Sequence, residues 1–294
     1  MNKWRLCVPT YKRKSPLILN MLEKDENLEI YFCCRNEEIE TGFYDDLSRL
    51  DRVHIVNLGD GLTELGETRQ RVLEYCKNEG VQYCCMFDDG ISNVVNELTN
   101  DSISNVFTSC IDLMENDKLS EYIIGFTFTK RYYLNDISNT WKKRHNTEVK
   151  DRNYFLVHAG QAVMINVDKA FEHNISYKNM NICGFEDAAF EGDSIKEGLI
   201  WAGRKHIMID GLVPNCAKPG GSHHDNFNIE SKYDKQNKLC YNYLNMMGIH
   251  IRKKYEYYCG GYCSFIMWDF DYFYTVLCSQ RKQNMKIIHS KFSL

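Results

Sequence analysis

Short apolar runs alternate with helix-forming segments from the first residues onward, and this pattern constrains the fold more than any other feature of the sequence. Leu6-Cys7-Val8 runs into Pro9-Thr10, after which Ser15 and Pro16 offer a helix cap and a first-turn proline ahead of Leu17, Ile18 and Leu22. Leu28 to Cys34 reads as a second strand and Val53 to Leu58 as a third. The Gly59-Asp60-Gly61 loop feeds a helix from about Glu67 to Asn78, closed by Gly80, and Val81 to Phe87 reads as a fourth strand running into Asp88-Asp89-Gly90. Strands that alternate with helices predict a parallel, doubly wound sheet, whose ligands bind at the carboxyl ends of its strands. The Pro9-Thr10-Tyr11 loop, Arg35 and Asp88-Asp89 all lie at such ends.

The second half reads differently. A helix around Asn105 to Glu115 precedes strands at Tyr122 to Thr129, Phe155 to Ile165 and His206 to Val213, with a further helix starting near Glu186. That order predicts a mixed rather than parallel arrangement. No repeat, low-complexity stretch or Pro/Ser-rich linker divides the chain. The expected organisation is one α/β domain over residues 1–231, with a nucleotide-binding half to about 120 and an acceptor half from 121 to 231. Residues 232–294 are rich in Tyr, Lys and Cys, and are expected to form a helical, aromatic appendage packed on that domain.

Composition excludes several classes. At 294 residues the chain is long enough for one large α/β domain, and 44% hydrophobic with 26% charged residues matches an ordinary globular protein rather than a disordered one. Lys and Arg number 36 against 40 Asp and Glu, so no global charge draws the chain to nucleic acid or anionic membrane, and any basic partner site must be local. The 13 cysteines are odd in number and several sit within apolar runs, as in Tyr31-Phe32-Cys33-Cys34 and Tyr83-Cys84-Cys85-Met86. Cys259 and Cys263 lack zinc-ribbon spacing and have no second pair like them, so buried, reduced thiols are the expectation, with a structural zinc site the lesser alternative. With no signal-like start and no apolar run near the roughly 20 residues of a membrane span, a cytoplasmic protein is expected.

Two acidic clusters carry the chemistry. Asp88 and Asp89 place two carboxylates at the ligand edge of the sheet, where hard oxygen ligands suit Mg²⁺ or Mn²⁺ on a diphosphate. The same tripeptide with Gly90 also reads as a plain turn between a strand and a helix. Gly184-Phe185-Glu186-Asp187 opens a helix, whose macrodipole favours an ionised carboxylate of the kind that deprotonates a hydroxyl. Simple helix capping by Glu186 or Asp187 accounts for it equally well. Tyr11 offers a ring for a base and Arg13 a cation for phosphate, while Arg69 in the first turn of its helix is placed either to point back to a nucleotide or to lie solvated.

The order of these pieces resembles the nucleotide-sugar glycosyltransferases of the GT-A fold, and most closely the inverting family 2 type. Pro9-Thr10-Tyr11-Lys12-Arg13 is similar to their Pro-Thr-Tyr-Asn-Arg loop, Gly66-Glu67-Thr68-Arg69-Gln70 to a Gly-x-x-x-Ala-Arg-Asn helix start, and Phe87-Asp88-Asp89-Gly90 to a strand ending in Asp-x-Asp. Ala159 to Ile165 is similar to their small-residue strand and Gly184-Phe185-Glu186-Asp187 to a Gly-Phe-x-Glu-Asp motif. The likeness runs from about Leu6 to Val213 and leaves the tail uncovered.

The resemblance implies a Rossmann-like GT-A fold and a hexosyltransferase using a nucleotide sugar, UDP-linked by expectation. It implies that Pro9, Thr10, Tyr11, Arg13 and Arg35 hold the nucleoside, with Arg69 steadying it and Asp88 approaching the ribose or metal. It further implies that Asp89 ligates Mn²⁺ or Mg²⁺, joined by His223 or His224 from a late Gly-rich loop, and that Asp187, beside Glu186, is the general base. Gly90 stands where many relatives carry a third acidic residue, which leaves the metal stoichiometry open and permits weak metal dependence. Lys12 replaces the usual Asn. Basic clusters at Lys130-Arg131, Lys142-Lys143-Arg144-His145 and Arg252-Lys253-Lys254 read either as contacts for the phosphates of DNA or of a lipid-linked acceptor or as solvated faces. The compact size, the lack of a membrane-length apolar run and the cysteine usage suit the small DNA-modifying branch of these enzymes, so the expected acceptor is a hydroxymethylated pyrimidine in DNA or a glycan. A sugar nucleotidyltransferase would carry a Gly-rich phosphate loop after the first strand, which Pro9-Thr10-Tyr11 is not. A degenerate transferase fold kept as a binding module remains the non-enzymatic alternative.

Overall fold

The computed structural model describes residues 3–62, 64–117, 119–130, 153–155, 161–177, 186–204, 206–211, 251–258 and 261–268. Its centre is an eight-stranded sheet. In chain order the strands are β1 (Trp4–Pro9), β2 (Ile30–Cys34), β3 (Val53–Asn57), β4 (Tyr83–Phe87), β5 (Ile91–Asn96), β6 (Ile123–Thr127), β7 (Thr129–Lys130), β8 (Asn153–Phe155), β9 (Ala162–Asn166), β10 (Ile200–Arg204) and β11 (Ile207–Gly211). The central sheet has the order β3-β2-β1-β4-β9-β6-β10-β8. Its first four strands are mutually parallel, β9 runs antiparallel to both β4 and β6, β10 is parallel to β6, and β8 is antiparallel to β10. This is a Rossmann-like α/β fold with a parallel first half and a mixed second half, the fold class that the strand and helix pattern predicts.

Period-two alternation explains how one sheet supports two cores. On β1, Leu6 and Val8 face one side with Phe32, Cys85 and Phe87, while Cys7 faces the other with Cys33, Cys84 and Met86. The first layer is closed by α4 (Ile103–Asn116), which contributes Val106 and Phe107, and by a 3-10 turn (Leu17–Met21) carrying Ile18 and Met21. The second is closed by α3 (Leu65–Asn78) through Val72, Leu73 and Cys76, by α5 (Val167–Glu172) and by Phe190 of α6 (Glu186–Lys196). Two short helices, α1 (Asn36–Glu40) and α2 (Asp45–Ser48), fill the β2 to β3 connection. Ser102 caps α4 by accepting from the Asn105 N–H at 3.3 Å, an arrangement that contributes about 1 kcal/mol.

Several expectations need correction. Pro16 occupies the N-cap with no side-chain capping bond, and the segment after it is a 3-10 turn rather than an α-helix. Phe155 to Ile165 is not one strand: β8 and β9 lie at the far edge and the centre of the sheet, each with its own partners. Asp88-Asp89-Gly90 leads into β5, not a helix, through a turn in which the Ile91 N–H donates to the Asp88 carbonyl at 3.1 Å. β5 then pairs with β11, which also pairs with β7, making a second, three-stranded sheet beside the site. In the tail, the described residues form a hairpin of β12 (Ile251–Tyr258) and β13 (Gly261–Trp268), where a helical appendage was expected.

Candidate functional site

The fold gathers the sequence motifs at the carboxyl edge of the parallel strands. Thr10 follows β1, Arg35 follows β2 and Asp88-Asp89 follow β4, so three separate loops open on the same edge. Thr10 Oγ1 donates to Asp89 Oδ2 at 3.1 Å, and Arg13 Nε lies 2.8 Å from the same oxygen. Asp89 is thereby clamped between the hydroxyl and the guanidinium of the first loop. Its backbone carbonyl also accepts from the Ile18 N–H at 3.3 Å, which ties the 3-10 turn to the strand edge. Burial pushes the Asp89 carboxyl up to about 6; Arg13 opposes that rise and Asp88 adds to it.

A second arginine organises the other acidic cluster. Arg69, the fifth residue of α3, is nearly fully buried; its Nη2 lies 3.0 Å from Asp88 Oδ1 and its Nη1 3.0 Å from Glu186 Oε1. Residues about a hundred positions apart in sequence thus meet on one guanidinium. Burial opposes the Arg69 charge, but Glu186 and Asp88 outweigh it and hold the group above its ordinary pKa. Burial pushes Glu186 up to about 7, with Arg69 pulling the other way and Asp187 adding to the rise. Glu186 Oε2 has no hydrogen-bond partner among the described residues. Asp187 stands next to it in the first turn of α6, partly exposed where Glu186 is not. The neighbouring pair therefore divides: one carboxyl is locked into the protein, and the other reaches solvent.

Around these two arginines the first loop is braced from below. Lys12 takes a left-handed backbone, φ 50°, and its N–H donates to Glu38 Oε1 at 2.7 Å and to the Tyr44 hydroxyl oxygen at 3.1 Å. Glu38 is buried in α1, and burial raises its pKa. The Arg35 guanidinium sits 4.3 Å from the Tyr11 ring centroid, and Lys12 Nζ 4.9 Å from it, so that ring is already engaged with two cations. At the ends of β2 and β3, Asn57 Nδ2 donates to Asn36 Oδ1 at 2.6 Å and Asn36 Nδ2 donates to Asp60 Oδ1 at 2.8 Å, a polar rim next to Arg35.

Of the residues singled out in the sequence, the structure brings Thr10, Arg13 and Asp89 together, and Arg69, Asp88 and Glu186 together, with Asp187 adjoining the second group. Pro9 ends β1 beside the loop. Arg69 is not solvated: it bridges two carboxylates. His223, His224, Gly184, Phe185 and the basic clusters from Arg131 to His145 lie outside the described residues. Sequence reasoning missed Glu38, Tyr44 and Tyr177. Tyr177 stacks on Phe190 with centroids 4.3 Å apart, lies 5.8 Å from the Arg69 guanidinium, and donates its backbone N–H to Gln70 Oε1 at 3.0 Å. No local motif marks it; only the meeting of α3 with α6 reveals it.

Chemically, the edge offers hard carboxylate oxygens at Asp88 and Asp89, cations at Arg13 and Arg35, and a partly exposed carboxylate at the amino end of a helix. The chain matches no protein-family model and no curated protein. Among solved structures it is similar to S. aureus TarS 1-349 in complex with UDP, at 10% identity and a TM-score of 0.41, over 70% of this chain and 59% of that one. It is also similar to A197 from STIV, at 11% identity and a TM-score of 0.37, over 71% of this chain and 85% of that one. The chain thus spans somewhat less than two thirds of the TarS chain. Among the described residues no helix is long and apolar enough to cross a membrane.

Proposed function

We propose that the chain is a glycosyltransferase that moves a sugar from a nucleotide-sugar donor, UDP-linked by preference, to an acceptor hydroxyl with inversion. The observation that carries this reading is the convergence of Asp88, Asp89, Glu186 and Asp187 on one sheet edge, held by Arg13 and Arg69. Sequence order alone leaves both acidic clusters readable as turn and cap. Their approach through Arg69 favours a single reaction site.

In this reading the loop from Pro9 to Arg13 and Arg35 receive the nucleoside and its phosphates. Asp187 is the general base: it accepts the proton of the acceptor hydroxyl as the oxygen attacks the anomeric carbon and the diphosphate leaves with the bond electrons. Glu186, buried and paired to Arg69, is a positioning residue that fixes the start of α6. Asp88 and Asp89 fit a divalent cation, since they are adjacent hard-oxygen donors and Asp89 is desolvated enough that Arg13 does not return its carboxyl to its ordinary range. Mn²⁺ or Mg²⁺ held there supplies charge neutralisation for the departing diphosphate. A late-loop histidine, His223 or His224, is proposed to complete its ligands. The acceptor is proposed to be a glycan or a hydroxymethylated pyrimidine in DNA.

The test is release of free nucleoside diphosphate from a panel of nucleotide sugars, with Mn²⁺, Mg²⁺ or chelator present, followed by glycosylation of hydroxymethyl-containing duplexes with the responding donor. Release from one donor that Asp187→Asn abolishes supports the proposal. Silence across the panel, with no thermal stabilisation by any nucleotide, overturns it in favour of a binding module.

A further inference from the structure

Away from the carboxyl edge, the core layer under α3 contains a group of thiols that the proposed reaction does not use. Cys7 of β1, Cys84 of β4 and Cys76 of α3 are fully buried, and their sulfur atoms all lie within 4.8 Å of one another. Cys7 Sγ and Cys76 Sγ are 3.6 Å apart, and Cys33 of β2 also touches the Cys7 thiol. Two neighbouring strands and the helix that crosses them each point a sulfur at one spot. The opposite face of the same strands also buries cysteines, Cys34 and Cys85, with Cys110 of α4, but no such group forms there among the described residues.

We infer that Cys7, Cys76 and Cys84 form a binding site for a thiophilic d¹⁰ cation, Zn²⁺ or Cu⁺, with Cys33 a further thiol next to Cys7 but outside the group of three. The spacing fits: a tetrahedral site with zinc–sulfur bonds of about 2.3 Å has sulfur–sulfur edges of about 3.8 Å. Softness fits as well, since thiolates with no carboxylate or imidazole select such ions over Mg²⁺ or Mn²⁺, so this site and the carboxylate edge would not compete for the same metal. As each metal–sulfur bond forms, the thiol gives its proton to solvent, so Zn²⁺ with three thiolates carries one net negative charge. Arg5, which donates to the Tyr75 hydroxyl at 2.6 Å and lies 4.8 Å from the Tyr31 ring, is a cation at the side of this layer. A site with no exposed ligand loads as the chain folds, or when α3 lifts from the sheet, so binding reads out as folding stability.

The full-length protein is refolded from denaturant under reducing conditions with Zn²⁺, Cd²⁺ as a spectroscopic stand-in, or Cu⁺, then passed over a weak chelator. One retained cation per chain, a thiolate-to-metal charge-transfer band with Cd²⁺ or Cu⁺, and a raised Tm are expected; which native ion gives the larger Tm rise distinguishes Zn²⁺ from Cu⁺. Retention should fall at least tenfold in Cys76→Ala and in Cys84→Val, which keep the layer apolar, and stay near one in Cys110→Ala. Metal-edge absorption on the wild type should give a shell of three or four sulfurs, a reading that needs no variant to fold. No retained cation, retention unchanged in both cluster variants, or a shell dominated by oxygen and nitrogen overturns the site. None of these outcomes depends on sugar transfer.

Discussion

Two arginine–carboxylate pairs stand at the same sheet edge and differ in how firmly the fold holds them. Arg13 and Asp89 have side chains 21% and 13% exposed and sit on a loop; Arg69 and Glu186 are 6% and 5% exposed and join two helices. In the first pair the cation is near enough to solvent to exchange its carboxylate for a ligand phosphate at modest cost. In the second, any movement of the guanidinium would strand Glu186 in the interior, where an unpaired charge costs several kcal/mol, although Asp88, 38% exposed, keeps its access to water. On the proposed function the contrast fits binding by the loop pair and architecture for the helix pair, although both look alike as a list of contacts.

The sharpest way to break that comparison is Arg69→Ala. It removes one partner of a buried ion pair and leaves Glu186 and Asp88 facing each other, so a loss of about 3–5 kcal/mol is expected in urea unfolding, with transfer activity lost alongside. A variant that unfolds within about 1 kcal/mol of the wild type would mean that Arg69 is a ligand contact and not a brace.

Next in size is the division between Glu186 and Asp187. Asp187→Asn should lower kcat by about 10²–10⁴ with little change in stability or in nucleotide affinity, the signature of a lost general base. Glu186→Gln keeps the shape of the buried group, and should lower activity less while altering stability in a pH-dependent way. If Glu186→Gln silences the enzyme and Asp187→Asn does not, the roles are reversed.

How much of this was legible beforehand follows from range. The parallel half could be read because each strand is short, apolar and punctuated, and because Gly80 takes a left-handed φ of 67° just past the end of α3, as expected of a closing glycine. Asp88-Asp89 was legible as turn or site; the turn is there, and the proposed function rests on the site. What could not be read is pairing across distance. Nothing near Ile91 signals that β5 pairs with β11 and not with the central sheet, and β8, in the central sheet, pairs only with β10 among the described residues. Arg69 shows the same limit in the site: its helix was placed correctly, but its partner at Glu186 lies across the fold. Glu38 and Tyr44 escaped notice because a buried acid beneath a loop leaves no periodicity or motif.

The two carboxyls also predict a pH effect, and its sign follows from proton binding. Glu186 in the folded protein titrates near 7 and Asp89 near 6, both above their ordinary values, so between about pH 4 and 7 the folded state holds more protons than the unfolded state. Stability from these groups is therefore greatest at the acid end and declines as pH rises through that window. Relative to Glu186→Gln, which is neutral throughout, the wild type should lose ground by on the order of 1 kcal/mol from pH 5 to pH 7.5. Denaturant midpoints at four pH values would show it; a difference that is flat with pH would mean that Arg69 keeps Glu186 ionised throughout.

The smallest effect on the fold, and the one that best separates the two pairs, belongs to Arg13→Ala. A partly exposed pair contributes about 1 kcal/mol or less, so the variant should unfold close to the wild type, in contrast to Arg69→Ala. Its consequence should appear on ligand binding: a charge-assisted contact to phosphate is worth roughly 1.5–3 kcal/mol, so nucleoside diphosphate affinity should fall about tenfold or more by calorimetry. Nucleoside without phosphate should lose little, because the Arg35 and Tyr11 side of the site is untouched. Equal weakening of both ligands would mean that Arg13 shapes the loop and does not hold the phosphates; unfolding on the scale of Arg69→Ala would place both pairs in the same structural role.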